Sequence, residues 1–176
     1  MQDLPKKTNM NECIRSSTPM STSLKYRTYP KLKEGETTFD DVTLYRSVTG
    51  ALQYATITRL EIFYSVNRLS QFMQNPRVIH WQGCKRILRC LQETKHYGLY
   101  FTPGSILKIE VFTDTDWATD RNGRRSTGGY CIYLDGNLVS WGANKQNMVS
   151  RSSIEAEYRA LSHSTTEVVW FMSLLF

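Results

Sequence analysis

The apolar pattern of this chain changes period once, after Gly98, and that change limits the fold more than any other feature. Before it, apolar side chains recur at helical spacing; after it they alternate. A helical period buries one stripe of a helix and an alternating one buries one face of a strand, so helices and sheet belong to separate stretches. The class is therefore α+β: a helical segment over 37–101, then a sheet of three strands with one helix over 107–176. The run Thr102-Pro103-Gly104-Ser105 marks the boundary.

Residues 1–36 are polar, with Ser and Thr clustered over 16–23, and the sequence predicts a loop-rich segment there. Asp40-Asp41 suits a helix start, and Leu44, Val48, Leu52 and Ala55 follow on one face. A second helix begins near Leu60, with Ile62, Val66, Leu69 and Met73 on one side, and stops at Asn75-Pro76. The third covers Arg77 to Thr94, with Val78, Trp81, Leu88 and Leu91 inward, and Gly98 ends the segment. Lys85, Arg86 and Arg89 lie elsewhere on that helix. They read as a solvated face or, in a nucleic-acid enzyme, as phosphate contacts.

Bulk composition narrows the partners. With 176 residues, 40% hydrophobic, the chain is long enough to bury a core. Its 22 Lys+Arg against 16 Asp+Glu favour polyanions. Cys13, Cys84, Cys90 and Cys131 form no C-x-x-C pair, which argues against a zinc site or a disulfide framework. No secretory signal precedes the first helix, and the apolar run Val168 to Phe176 is too short to span a bilayer. The expectation is a soluble intracellular protein, cytoplasmic or nuclear, without a membrane partner.

In the alternating half, Leu107 to Thr113 reads as a strand, with Ile109 and Val111 on one face. Thr127 to Leu134 and Asn137 to Trp141 form a hairpin around Asp135-Gly136. A further short strand is expected near Met148 to Arg151, and a final helix from Ser152. Ser152-Ser153-Ile154-Glu155 is a capping-box pattern, so Glu155 has a structural task and pairs with Arg159 one turn on. Glu157 shares a face with Ile154 and Leu161, close to the expected packed side, with no Lys or Arg a turn away. It reads as a metal ligand or as a rim glutamate bending into water. Asp114 closes the first strand; Asp116 and Asp120 read as turn formers, Trp117 as a packing residue and His163 as structural. Arg121, Arg124 and Arg125 are an ordinary basic loop or a phosphate clamp.

The order of motifs resembles the Ty1/copia class of retrotransposon Pol polyproteins over nearly the whole chain. Thr18-Pro19-Met20 and Tyr45 to Tyr54 are similar to the end of its reverse transcriptase. Ser65 to Met73, His80-Trp81 and Lys85 to Arg89 resemble the thumb and connection segment, and Phe112 onward resembles its ribonuclease H domain. The resemblance implies that Asp114 and Glu157 are metal-binding, catalytic carboxylates for two Mg²⁺ (or Mn²⁺) ions. It also implies an RNA–DNA hybrid as substrate, held by Lys85, Arg86, Arg89, Arg124 and Arg125, and the remainder of the Pol polyprotein as a partner. Such a site uses two further aspartates, from elements after the helix of Glu157, and the sequence as given ends at Phe176. The expectation is an incomplete ribonuclease H-like sheet, inactive by itself, with weak or absent metal binding. A basic nucleic-acid-binding module and a relic without function are the alternatives. Leu60-Glu61 also departs from the Pro-Asp usual in the family.

Overall fold

The computed structural model describes residues 14–21, 37–104, 107–120 and 123–175. Most of the expected loop-rich segment, together with Cys13 and Arg121, lies outside them. The chain divides into two compact units, Met1–Gly98 and Leu99–Phe176.

The first unit holds helices α1 (Val42–Ala55), α2 (Leu60–Ser70) and α3 (Val78–Glu93). Asp41 caps α1, its Oδ1 accepting the Leu44 N–H at 2.8 Å. The core forms where the three apolar stripes meet, around Tyr45, Leu52, Ile62, Leu69 and Ile87. The buried Tyr45 hydroxyl donates to the Leu69 carbonyl at 2.8 Å, so its burial leaves no orphaned donor. Arg59, only 6% exposed, ties the start of α2 to the end of α3 by donating to Glu61 and to the Thr94 hydroxyl. Glu61, of the Leu60-Glu61 pair, thus has a local partner.

The inner face of α3 differs from the expected one. Val78, Trp81 and Leu91 are only partly buried, whereas His80, Cys84 and Ile87 join Leu88 in the interior. A histidine can take a core position when it stays neutral and hydrogen-bonded. His80 Nδ1 accepts the Arg77 N–H at 3.0 Å, and its ring stacks on Phe72 with centroids 3.8 Å apart. Burial, and next the Arg77 charge, push its pKa down to about 4. The helix ends at Glu93 with Thr94 as its cap, before Gly98. Residues 14–21 lie along this helix: Arg86 donates from Nε to the Thr18 carbonyl and from Nη2 to its hydroxyl, and Met20 packs on the core.

The second unit is a three-stranded antiparallel sheet of β1 (Ile109–Asp116), β2 (Thr127–Leu134) and β3 (Asn137–Lys145), in that order, with helix α4 (Ser153–Leu175) against β1 and β2. Asp135 and Gly136 both have positive φ (48° and 75°), the backbone a two-residue hairpin with right-handed strand twist requires. Small residues make the helix–sheet contact. Ala156, Ala160 and Ser164 are buried on α4, and a Cβ added to Gly128 of β2 would stand 3.0 Å from the Ala160 Cβ.

Three expectations fail in this unit. Residues 148–151 are irregular, with bends at Met148 and Arg151, rather than a strand, because Ser150 is held by side chains: its hydroxyl donates to Gln146 and its carbonyl accepts from Trp117 Nε1. Asp116, expected in a turn, is the last residue of β1, so Asp114, expected to close the strand, lies within it. Among the described residues no helix is long and apolar enough to cross a membrane.

Candidate nucleic-acid and metal site

Asp114 of β1 and Glu157 of α4, distant in sequence, line one cleft of about 360 Å³ together with Thr113, Thr115, Ile154, Tyr158 and Leu161. The β-sheet brings Asp114 opposite Gly129, and the Asp114 Oδ1 accepts the Thr115 N–H at 2.8 Å. Both carboxylates are exposed and neither enters an ion pair among the described residues. Glu157 shares its face with Ile154 and Leu161, as the spacing predicts, but that face is not the packed side of α4. Ile154 and Leu161 are 62% and 50% exposed, so the packed side of α4 is the Ala156–Ala160–Ser164 stripe. The helix turns those small residues inward because Gly128 leaves room for them, and Glu157 sits beside that stripe, facing solvent.

Glu155 takes the structural part expected of it. Its carboxylate accepts the Arg151 N–H at 2.8 Å and the Arg159 guanidinium at 2.8 Å, while Ser152 Oγ accepts the Glu155 N–H. These contacts, the Arg151 amide first, hold its pKa below the ordinary carboxylate value. With Glu155 occupied, Glu157 is the acid on this turn open to an ion.

Carboxylates are hard oxygen donors of the kind that suit Mg²⁺ or Mn²⁺. No group of three or more His, Cys, Asp or Glu side chains placed to hold a metal occurs among the described residues. An ion held by these two carboxylates alone would take most of its shell from water or phosphate oxygens.

The candidate cations fall in both units. Arg124 and Arg125 are exposed on the loop joining β1 to β2. Asp120, read from sequence as a turn former, is 4% exposed at the base of this loop, against Lys145 of β3. Sequence periodicity has no means of reporting that burial, since the residue lies between strands. On α3, Lys85 and Arg89 are half-buried, and Arg89 Nε is buried with no hydrogen-bond partner among the described residues. Arg86 is already engaged by Thr18. A second cleft, of about 630 Å³, opens on the far flank of α4 between Lys145, Gln146, Arg159 and His163, which sequence reasoning did not assign to a site. His163 lies 5.8 Å from the Tyr130 ring, and Trp117 is hydrogen-bonded to Ser150.

No family model and no solved structure matches the chain. Relatives of known sequence do. The retrovirus-related Pol polyprotein from transposon RE1 of Arabidopsis thaliana is 43% identical over 173 residues, 98% of this chain and 12% of that protein. The corresponding polyprotein from transposon TNT 1-94 of Nicotiana tabacum is 35% identical over 95% of this chain and 13% of its own length. A protein named secreted RxLR effector protein 161, from Plasmopara viticola, is 47% identical over 127 residues, covering 72% of this chain and 89% of that protein. The chain thus spans about an eighth of the Pol polyproteins it matches. Identity carried almost from end to end, in the order of motifs read from the sequence, establishes that this chain belongs to the family of copia-type retrotransposon Pol polyproteins, as a segment of one.

Proposed function

We propose that the chain comes from the part of Pol where the end of the reverse transcriptase gives way to ribonuclease H, and that its parent domain hydrolyses the RNA strand of RNA–DNA hybrids. One observation carries this reading: Asp114 and Glu157 line the same cleft although strand and helix lie far apart in sequence. Chemistry of this class relies on two bound Mg²⁺ ions, one activating water and one stabilising the leaving oxygen. Asp114 and Glu157 would hold them, and Arg124 and Arg125 would take backbone phosphates without reading sequence.

The same residues support an inactive polypeptide when these 176 residues stand alone. Two carboxylates are too few to hold a metal pair whose own charges repel, so cleavage needs ligands from elsewhere. What remains is hybrid binding through phosphate contacts, which weakens steeply with salt.

The test is cleavage of a labelled RNA–DNA hybrid with Mg²⁺, beside Asp114→Asn and Glu157→Gln, with binding followed in the same samples. No cleavage is expected, together with salt-sensitive binding that persists in Glu157→Gln. Cleavage abolished by both substitutions would overturn the inactivity of the isolated chain. Binding indifferent to salt would remove the nucleic-acid reading.

A further inference from the structure

The described parts of the connection between β1 and β2, residues 117–120 and 123–126, present two exposed arginines, yet their backbone is tightly held. Arg124 has φ 52° and Ala118 also has φ 52°, left-handed conformations that non-glycine residues hold only when their surroundings impose them. The constraint is concentrated on Asp120. Its N–H donates to the Arg125 carbonyl at 3.2 Å, and its carbonyl accepts the Arg124 N–H at 2.7 Å. Its carboxylate accepts the Gly123 N–H at 3.0 Å and meets Lys145 Nζ at 2.5 Å. Each of these contacts ends on the arginine-bearing turn, Gly123 to Arg125, or on the last residue of β3. Beside it, the fully buried Ser126 accepts the Ala118 N–H through Oγ, and its carbonyl accepts the Gln146 N–H.

The geometry points to Asp120, clipped to Lys145, as the positioning residue that holds Arg124 and Arg125 in register for the phosphates of a nucleic-acid backbone. The inference rests on the nucleic-acid reading above and deepens it. Lys145 is only partly exposed and already neutralised by Asp120, so it serves the loop rather than the ligand. A mobile arginine pair would spend binding energy on ordering itself at each encounter; a pre-set pair does not.

Electrostatics gives this inference a sign that a bystander carboxylate cannot imitate. Removing a negative charge next to a polyanion site should, by Coulomb attraction alone, tighten binding. Positioning requires the opposite. Anisotropy of a labelled RNA–DNA hybrid, titrated with the full 176-residue chain across a salt series, separates the two. Asp120→Ala should weaken binding to the level of the Arg124→Ala/Arg125→Ala double variant. It should also make the salt slope shallower by about two, one for each arginine that no longer meets a phosphate. Adding Asp120→Ala to the double variant should then change nothing further.

Affinity equal to or above wild type in folded Asp120→Ala overturns the inference, as does additional weakening in the triple variant. Should Asp120→Ala fail to fold, Gly123→Ala decides: its new Cβ would stand 2.8 Å from Asp120 Oδ2, and it should show the same weakening. Wild-type binding by folded Gly123→Ala overturns the clip. Wild-type binding by the double arginine variant instead overturns the loop as a phosphate site, and the inference falls with it.

Discussion

The two units divide stability and chemistry unequally. In the first, large apolar side chains from three helices interlock: Tyr45, Leu52 and Ile62 are all 0% exposed. In the second, the buried apolar residues among those described are Ile132, Ala156 and Ala160, while Phe112, Trp170 and Leu174 are each more than half exposed. Burying a leucine-sized side chain contributes about 1.5–3 kcal/mol and an alanine far less, so the helical unit carries the larger hydrophobic term. The carboxylate pair lies in the poorer unit. The comparison teaches that a site needing a close helix–sheet approach draws on small residues at the contact, and small residues bury little.

Four measurements break or sharpen that contrast. Leu52→Ala leaves a cavity between α1 and its neighbours, and it should cost roughly 2–5 kcal/mol in urea unfolding followed by helical ellipticity. A loss under about 1 kcal/mol would mean that the first unit is not the better packed of the two.

Acid should act next, again on the first unit. His80 is neutral when folded because burial and Arg77 hold its pKa near 4, against 6.5 for the unfolded chain. Between those values the unfolded state binds more protons, so stability is full above pH 6.5 and falls as the pH drops toward 4. The total is about 3 kcal/mol, at ~1.4 kcal/mol per unit of pKa. Unfolding curves at about pH 7.5, 5.5 and 4.5 measure it. A His80→Gln variant should lose that pH dependence, and an unchanged slope would place the acid sensitivity elsewhere.

Third comes Gly128→Val, which drives a branched side chain into Ala160 and should cost about 1–3 kcal/mol through overpacking. Its signature would be a shift of α4 and β1 amide resonances with α1–α3 unmoved; resonances that stay in place would show that the contact can give. The smallest effect belongs to Glu155→Gln. Glu155 titrates below the ordinary carboxylate range, so its stabilisation of α4 is present above the unfolded pKa and lost as the pH falls through the folded one. Helical ellipticity recorded from about pH 7 to 3 should show a slight acid fraying in wild type that the variant lacks.

Much of this architecture was legible in the residues. Asp41 as a cap, Asp135-Gly136 as the hairpin turn and the Glu155 contacts with the start of α4 and with Arg159 all depend on neighbours in sequence, and all are present. What escaped depends on partners far along the chain. His80 does not register in an apolar count, yet Phe72 receives it in the core. Ile154 and Leu161 do register, and they face outward because Gly128 invites the alanine stripe instead. The order of motifs singled out Asp114 and Glu157, and the cleft they share is a tertiary fact. Asp120 and Lys145 illustrate the limit most plainly, since the two ends of that contact lie on different sides of a hairpin.

The glycine at position 128 has one more consequence. In the register of the sheet it faces Thr115, whose hydroxyl donates to the Ala156 carbonyl at 3.4 Å. Asp114 and Glu157 are the chain neighbours of Thr115 and Ala156. Behind the two acids, then, the sheet presents a hydrogen atom where an alanine would carry a methyl group. A spacer of that kind has no charge, yet a side chain there would press on Ala160, one turn along α4 from Ala156.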